Sequence, residues 1–143
     1  MDKLATLSWA GDFGKTVSRL VLNPKAMGEA YTISTSEYHT WREIAEMYHR
    51  IGGLEYVTMD TESYIQMCGD GSPYTRQQLL YDRCYDRVVD NSKILDLMGA
   101  KQEDLMGLEQ GLAMELANIR LEDVGCNEKL NRRMDDYIAS LEN

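Results

Sequence analysis

The stretch that most constrains the fold covers residues 81–99, which read YDRCYDRVVDNSKILDLMG. Its β-branched pair at residues 88–89 is typical of a short strand. Asp90 follows, and an aspartate there can accept the free amide hydrogens of a helix's first turn. Apolar residues then recur at helical spacing, namely Ile94, Leu95 and Met98. Because Gly99 supplies a left-handed stop, the pattern predicts a strand, a cap and a short helix.

Cationic and polar side chains cluster at this predicted junction of strand and helix: Arg83, Arg87, Asn91, Ser92 and Lys93. Side chains at the end of a strand or the start of a helix can point toward a phosphate or a sugar hydroxyl. The same residues also suit an ordinary solvated, charged helix start. The residues alone are compatible with both interpretations.

Three other segments predict short strands. Residues 4–9 alternate weakly, residues 30–35 alternate Tyr31 and Ile33 with polar side chains, and residues 55–59 form a third short run. Because these segments are interleaved with helical patterns, the sequence predicts an α/β fold. We expect a small mixed domain of short strands and about five helices.

The helical patterns differ in strength. Thr40 and Glu43 form a capping box ahead of an apolar stripe that Gly52 and Gly53 close, which predicts a helix from residue 41. Trp41 and Tyr48 belong to that stripe, and core packing is a commoner role for such residues than ligand contact. Other helices are predicted over residues 13–21, after Asp60, over residues 75–81 with a weak capping box of Thr75 and Gln78, over residues 105–119 and from Asn127. Residues 69–73 predict a loop.

Composition excludes several classes of function. The length of 143 residues suits a single domain spanning residues 1–143, and a hydrophobic content of 43% opposes disorder. The net charge of -9 opposes binding to nucleic acid or to an anionic membrane, because like charges repel. An anionic ligand must therefore be held by a local basic cluster. Before the C-terminus, the region of Arg76, Arg83 and Arg87 is the only candidate.

The cysteines and histidines point to no metal site. Cys68, Cys84 and Cys126 are widely spaced and odd in number, which favours a reducing compartment over a disulfide framework. His39 and His49 have no partner at metal-ligand spacing, so we expect surface or packing roles. No apolar run approaches the ~20 residues of a membrane span, and the first residues lack a signal-peptide pattern. The sequence predicts a cytoplasmic protein.

Several segments resemble the C-terminal region of NAD-dependent epimerase/dehydratases, the extended short-chain dehydrogenase/reductase family. In that family a similar strand ends in an Asp-x-Ser-Lys element, and a short helix follows. The segments that carry the resemblance are Asp82-Arg83, residues 88–94 (VVDNSKI), the turn at residues 23–29, residues 40–44 (TWREI) and residues 108–112 (LEQGL). The resemblance covers most of residues 1–120.

The resemblance implies a division of labour between two parts of an enzyme. Family members bind NAD or NADP on an N-terminal Rossmann domain, bind a nucleotide sugar with the smaller C-terminal region, and use a Tyr-x-x-x-Lys pair in hydride transfer. This chain has no G-x-G-x-x-G pattern and no tyrosine four residues before a lysine. It is therefore expected to be the substrate-binding part alone, without a catalytic residue, with NAD or NADP bound on a Rossmann domain outside this chain.

The resemblance also suggests roles for the cluster. Arg83 and Arg87 are candidates for the phosphates of the nucleotide, because a guanidinium fork suits bidentate phosphate contact. Asn91 and Lys93 are candidates for contact with ribose or sugar hydroxyls. Ser92 is expected to cap the following helix.

A second hypothesis is a stand-alone interaction or ligand-binding module that kept this fold without catalysis. Family C-terminal regions cover part of the cofactor domain, so an isolated piece should expose an apolar patch or self-associate as a homo-oligomer. A stand-alone module should instead have a polar surface there. A third hypothesis, an enzyme that uses Asp and Tyr residues, has no supporting cluster in the sequence.

Overall fold

Seven α-helices and a two-stranded sheet form the part of the chain that the computed structural model describes, which is residues 1–69, 72–120, 122, 124–125 and 127–141. The strands are β1 (Leu4–Ala5) and β2 (His39–Thr40). The helices are α1 (Ala10–Leu20), α2 (Trp41–Gly52), α3 (Thr61–Gly69), α4 (Pro73–Gln78), α5 (Ser92–Met98), α6 (Leu108–Asn118) and α7 (Glu128–Leu141). The protein is a small mixed α/β domain that is 60% helical, which confirms the predicted class with more helix than expected.

The strands pair in antiparallel orientation, with Leu4 opposite Thr40 and Ala5 opposite His39. The Trp41 amide extends this pairing with a 3.2 Å hydrogen bond to the carbonyl of Lys3. At the opposite edge of β1, the Leu4 carbonyl accepts a 2.9 Å hydrogen bond from the Arg87 amide. Strand β1 therefore lies between β2 and the segment that precedes α5.

The described residues contain fewer strands than the sequence predicts. Residues 30–35, 55–59 and 88–89 form no strand, and the strand predicted over residues 4–9 covers only two residues. Around residue 35 the backbone bonds to side chains instead, because Thr35 N donates to Ser8 Oγ and Ser36 N donates to Gln102 Oε1, both at 3.0 Å. Such polar side chains offer the backbone an alternative to a ladder. The strand predictions for residues 30–35, 55–59 and 88–89 are therefore wrong, and for residues 30–35 these hydrogen bonds are the reason.

Helix α2 forms as its capping box predicts. The Thr40 hydroxyl accepts from the Glu43 amide at 3.1 Å, and the Glu43 carboxylate accepts from the Thr40 amide at 2.7 Å. Gly53 ends the helix with φ of 67°, a conformation that costs glycine little. Ile44 and Met47 are its buried residues.

Helix α5 follows the predicted pattern of cap and stop. Asp90 Oδ1 accepts from the Ser92 amide at 2.9 Å, although the residue at the N-cap position is Asn91. The helix ends at Gly99, where φ is 63°. Ile94 is the buried residue of this helix. The predicted helical cap by the Ser92 side chain is wrong, because Ser92 is the first helical residue and its amide is a donor here.

Helix α6 begins later than predicted. Residues 102–104 form a 3₁₀ turn, Leu105 is extended, and the helix starts only at Leu108. Two carboxylates from distant parts of the chain hold this start, because Asp12 Oδ2 accepts from the Met106 amide and Glu37 Oε2 accepts from the Leu108 amide at 3.0 Å. The leucine stripe therefore runs through a turn before it enters the helix. Long-range hydrogen bonds, rather than helix propensity, define that turn.

The positions of the remaining helices agree with the sequence predictions, whereas the predicted caps agree only in part. The helix predicted over residues 13–21 is α1, and Asp60 accepts from the Ser63 amide at 2.9 Å as a cap of α3. Helix α4 starts at Pro73 after Ser72, so the capping box predicted for Thr75 and Gln78 is wrong. Helix α7 begins at Glu128, one residue after the predicted start at Asn127, whose Oδ1 accepts from the Leu130 amide at 3.1 Å. Residues 70 and 71 of the predicted loop, and Cys126, lie outside the described residues.

The buried apolar residues of the described chain come from β1, α2, α3 and α5: Ala5, Ile44, Met47, Ile65, Met67 and Ile94. Four polar residues are buried beside them: Asp12, Thr16, Thr35 and Asn91. Buried polar groups must be hydrogen-bonded to avoid a large desolvation cost. Asp12, Thr35 and Asn91 bond to residues distant in the sequence, whereas Thr16 donates to the Asp12 carbonyl within α1. None of the described helices has the length and apolarity that crossing a membrane requires.

Candidate functional site

The backbone around Arg87 is fixed against the outer edge of β1. The Arg87 amide donates to the Leu4 carbonyl, and the Arg87 carbonyl accepts from Thr6 Oγ1 at 3.0 Å. The neighbouring Asp86 Oδ1 accepts from the Leu4 amide at 3.0 Å, and this hydrogen bond is the main cause of the lowered pKa of Asp86. These three hydrogen bonds set the point from which the Arg87 side chain leaves the backbone.

Arg83 is positioned by a π turn. Helix α4 continues into a wider turn over Leu79–Arg83, where the Cys84 amide donates to the Leu79 carbonyl at 2.9 Å. A π turn shifts the residues that follow it around the helix axis, and such turns are frequent at functional sites. Arg83 is the last residue of this turn.

Both arginines meet at the indole of Trp41. The central guanidinium carbon of Arg83 and that of Arg87 each lie 5.6 Å from the centroid of this ring. Trp41 is the first residue of α2, and the capping box fixes its backbone. A guanidinium near an aromatic ring is attracted by the negative face of the π system. The residues Trp41, Asp82, Arg83 and Arg87 are called the guanidinium site below.

Asp82 lies between the two arginines. One carboxylate oxygen, Oδ2, is 3.3 Å from Arg83 Nε, and the other, Oδ1, is 3.2 Å from Arg87 Nη1. Two guanidinium groups and one carboxylate leave one positive charge at the guanidinium site. This local charge is opposite in sign to the net charge of the chain.

Three nitrogen atoms of the guanidinium site are buried and have no hydrogen-bond partner among the described residues: Trp41 Nε1, Arg87 Nε and Arg87 Nη2. All three are donors, because indole and guanidinium nitrogens carry hydrogens and accept none. Leaving a buried donor unpaired costs about 1–3 kcal/mol, so such atoms call for an acceptor. These three donors therefore lack an acceptor among the described residues.

The two unpartnered nitrogens of Arg87 lie on one edge of its planar guanidinium group. By the naming convention of arginine, Nε and Nη2 lie on the same side of the group, and Nη1 lies at the far end. Because Asp82 contacts Nη1, the side-on pair of Nε and Nη2 is left without a hydrogen-bond partner among the described residues. A side-on fork presents two parallel N–H groups, which is the arrangement that binds two oxygens of a carboxylate or phosphate.

Asn91 lies in the protein interior, where its side chain bonds to other residues of the chain. The residue is 4% exposed, and its side-chain Nδ2 donates to the Ser34 carbonyl at 3.0 Å and to Gln102 Oε1 at 2.9 Å. Gln102 Oε1 also accepts from the amide and the hydroxyl of Ser36. Both amide hydrogens of Asn91 are thus used inside a buried network. Its contact with a ribose or sugar hydroxyl stays a prediction.

Lys93 lies on the surface with partners of its own. Its Nζ is 2.7 Å from Glu29 Oε2 and 4.8 Å from the centroid of the Tyr31 ring. The hydrogen bond with Glu29 raises the pKa of Lys93 and lowers the pKa of Glu29. The structure therefore brings Arg83 and Arg87 together at Trp41, while Asn91 and Lys93 contact other residues.

Trp41 and Asp82 are the two members of the guanidinium site that the sequence did not predict as site residues. The sequence predicted core packing for Trp41, but its ring is half-buried and lies beside two cations. The capping box at Thr40 could have placed Trp41 at a helix start. Nothing local to residue 41 indicates that residues 83 and 87 lie beside it.

Tyr64 of α3 lies in the electrostatic range of Arg83. Burial is the main cause that raises the pKa of the Tyr64 phenol, and a hydrogen bond with Cys68 adds to the effect. The positive charge of Arg83 acts in the opposite direction. Tyr64 is therefore a neutral phenol at physiological pH that stands near the guanidinium site.

Two concave regions occur elsewhere in the described chain. The cavity between α1 and α5 has a volume of about 20 Å³, which is room for about one water molecule. An open groove of about 580 Å³ separates α3 from α7, and its lining includes Glu62, Arg133 and Asp136. None of the four predicted site residues lines either region.

Two glycines near the start of the chain do not form a dinucleotide-binding turn. The closely spaced pair Gly11 and Gly14 lies inside α1, and a Cβ at Gly11 would overlap the indole of Trp9. Gly11 therefore allows close approach of a side chain rather than of a pyrophosphate. No group of three or more potential metal-binding side chains occurs in the part of the chain that the structure describes.

Comparisons with known proteins add no assignment: no family model, no curated protein and no solved structure matches the chain.

Proposed function

We propose that this chain is the nucleotide-sugar-binding portion of an NAD-dependent epimerase/dehydratase and that it is not catalytically competent alone. The observation that carries the proposal is the pair of unpartnered nitrogens on the side-on edge of Arg87, next to Arg83. Paired guanidinium groups suit the phosphates of a nucleotide sugar, because each phosphate offers two charged oxygens. NAD or NADP would bind to a Rossmann domain outside this chain.

The exposed apolar side chains favour this proposal over a stand-alone module. Several large apolar residues of the described chain are exposed, among them Leu22 at 96%, Met27 at 79%, Tyr81 at 76% and Tyr74 at 73%. Exposed apolar side chains are expected where another domain covers a protein. A covering second domain is what the half-enzyme proposal requires.

Titration of the ¹⁵N-labelled chain with UDP-glucose, dTDP-glucose, GDP-mannose and NADH tests the proposal. We expect at least one nucleotide sugar to shift the side-chain signals of Arg83 or Arg87. We expect NADH to bind no more tightly than contact with its two phosphates alone would explain. Arg87→Ala should weaken the binding of that nucleotide sugar by at least about tenfold, since charged hydrogen bonds are lost. Arg50→Ala is the matched control, because Arg50 pairs with Glu109 on the surface at 2.7 Å.

Two results would overturn the proposal. The first is stoichiometric binding of NADH, because the chain would then hold the cofactor itself. The second is an equal effect of Arg87→Ala and Arg50→Ala on binding. Gel filtration at several concentrations separates the alternatives: we expect self-association through the exposed apolar residues, whereas a strictly monomeric protein would favour the stand-alone module.

A further inference from the structure

The turn that follows α1 projects apolar side chains into solvent. Val21, Leu22 and Met27 are all exposed, and Leu22 is 96% exposed. Among the described residues, Leu22 is also the one non-glycine residue with a positive φ, which is 59°. A leucine in this conformation is strained, and such strain persists only where the surrounding structure imposes it. Residues 19–27 are called the α1 tip below.

Hydrogen bonds hold the α1 tip in one shape. Asn23 Nδ2 donates to the Arg19 carbonyl at 3.2 Å, and Asn23 Oδ1 accepts from the Lys25 amide at 3.0 Å. The Tyr31 hydroxyl donates to the Lys25 carbonyl at 3.3 Å. A surface that is already ordered loses less conformational entropy when it binds a partner. The α1 tip therefore suits contact with another protein surface.

The charge of the α1 tip indicates what kind of surface would bind it. Arg19 and Lys25 are exposed and have no ion-pair partner among the described residues, whereas Lys15 of the same helix lies 3.1 Å from Asp12 Oδ1. Residues 19–27 contain no acidic side chain, so the tip is positive on a chain whose net charge is -9. Two tips would repel each other, and the complementary surface is an acidic one.

The open groove between α3 and α7 has the properties of such a surface. Its volume of about 580 Å³ is within the range of protein pockets that enclose whole ligands. Its lining combines apolar, acidic and basic side chains, among them Glu62, Met67, Arg133, Asp136 and Tyr137. Glu62 pairs with Arg76, and Arg133 Nη1 donates to the Met67 carbonyl at 2.9 Å. The exposed carboxylate of Asp136 has no ion-pair partner among the described residues.

From this complementarity we infer that the α1 tip of one copy of the chain binds the α3–α7 groove of a second copy. Leu22 enters the groove, and the cations of the tip meet Asp136. Because the tip and the groove are different surfaces, the contact is heterologous. Neither surface includes a residue of the guanidinium site. The exposed Tyr74 and Tyr81 remain for the second domain proposed above.

Sedimentation equilibrium of the full chain from about 10 μM to about 1 mM tests the contact, because interfaces smaller than the standard size are usually weak. We expect species larger than the monomer, in amounts that increase with concentration. Leu22→Gly removes the apolar side chain and should weaken the association at least about tenfold. Its midpoint of urea unfolding should not fall, because glycine adopts a positive φ freely.

Charge reversal in the groove provides an independent variant. Asp136→Arg should weaken the association about fivefold, because a cation then faces the cations of the tip. Asp135→Arg is its matched control, since Asp135 is exposed on the same helix but does not line the groove. Ile119→Ser is the control for Leu22→Gly, because Ile119 is an exposed apolar residue outside the tip. Both control variants should associate like the unsubstituted chain.

Mixing the two variants tests whether the contact is heterologous. Leu22→Gly retains an intact groove, and Asp136→Arg retains an intact tip. The mixture should therefore form a heterodimer of one copy of each, with the affinity of the unsubstituted tip and groove, and nothing larger. Two copies of Leu22→Gly, or two of Asp136→Arg, should remain largely monomeric at the same total concentration.

Three results would overturn the inference: a monomer at every concentration, equal association of each variant and its control, or no heterodimer in the mixture. Binding of a monomeric chain to phosphatidylcholine–phosphatidylserine vesicles that Leu22→Gly abolishes would also overturn it, because lipid would then cover the tip. Self-association through other residues would overturn the inference and leave the proposed function standing. Association of tip and groove without binding of any nucleotide sugar would do the reverse.

Discussion

The Trp9 indole joins the first helix to the sixth, because its Nε1 donates a 2.7 Å hydrogen bond to Glu115 Oε1. Its ring lies against Gly11 of α1, and its Cβ would be 3.7 Å from a Cβ placed on Gly111 of α6. Lys15 Nζ lies 5.0 Å from the ring centroid. A single side chain thus connects two helices that are far apart in the sequence.

The hydrogen bond between Trp9 and Glu115 should contribute measurably to stability. Trp9→Phe keeps an aromatic ring and removes the donor, and Glu115→Ala removes the acceptor. We expect a coupling free energy of about 0.5–1.5 kcal/mol in a double-mutant cycle measured by urea unfolding. A coupling within error of zero would show that the surface exposure of the carboxylate cancels the bond. Trp41→Phe with Glu115→Ala provides a control pair without a hydrogen bond between its members.

Two glycines of α1 should respond in opposite directions to the same substitution. A Cβ at Gly11 would overlap the Trp9 ring, so Gly11→Ala must displace that indole and should lower the free energy of unfolding by about 1–3 kcal/mol. A Cβ at Gly14 meets no atom within 4 Å in the described structure. Gly14→Ala should therefore raise the free energy of unfolding by about 0.5–1 kcal/mol through helix propensity. The same sign for both variants in urea unfolding would contradict the placement of Trp9.

The elements that the sequence predicted well are those fixed by neighbours in the chain. The capping box of α2 and the pair of Asp90 and Gly99 around α5 depend on residues within a few positions of each other, and both occur as predicted. Local hydrogen bonds and backbone conformation are encoded locally, so a pattern is enough to find them.

The features that escaped prediction depend on distant pairs. Residues 30–35 alternate like a strand, but Gln102 and Ser8 bond to their neighbourhood and replace the ladder. The sequence places Asn91 at a helix start as a polar residue, but its side-chain amide donates to the Ser34 carbonyl of a distant loop. The position of Trp41 between residues 83 and 87 is of the same kind. A single sequence indicates which residues are polar, but not which distant group satisfies them.

Asn91 should affect stability more than ligand binding. Asn91→Ala removes the hydrogen bonds to the Ser34 carbonyl and to Gln102 Oε1 from a site that is 4% exposed. We expect the free energy of unfolding to fall by about 1–3 kcal/mol, measured by urea unfolding. Asn118→Ala is the matched control, because the Asn118 amide donates to the Met114 carbonyl at an exposed helix end. It should change the free energy of unfolding by less than about 0.5 kcal/mol.

Binding measurements separate this structural role from the contact with a sugar hydroxyl. If Asn91 only supports the network, Asn91→Ala lowers stability while any nucleotide sugar that binds the folded chain retains its affinity. A direct contact would instead weaken the binding of the nucleotide sugar to the folded variant. Measuring stability and affinity on the same variant distinguishes the two roles.

The capping box of α2 should make stability dependent on acid. Hydrogen bonds from Thr40, first from its amide and then from its hydroxyl, lower the pKa of Glu43 from the ordinary value of 4.5. Since the folded pKa lies below the unfolded one, the stabilisation is complete above pH 4.5 and is lost as the pH falls through the folded pKa. Glu43→Gln keeps an acceptor at the same position without a titrating charge.

The pH dependence of urea unfolding measures this contribution. We expect the unfolding midpoint of the unsubstituted protein to exceed that of Glu43→Gln at pH 7, and the difference to disappear toward pH 3 because a protonated Glu43 resembles glutamine. Glu46→Gln, at an exposed position of the same helix, is the control, and its difference from the unsubstituted protein should lack this acid-dependent decline. If the Glu43→Gln difference persists unchanged at pH 3, the Glu43 carboxylate does not stabilise the helix through its charge. Acid unfolding would then originate at other carboxylates with lowered pKa values, such as those of Asp60 and Asp90, which accept hydrogen bonds from Ser63 and Ser92.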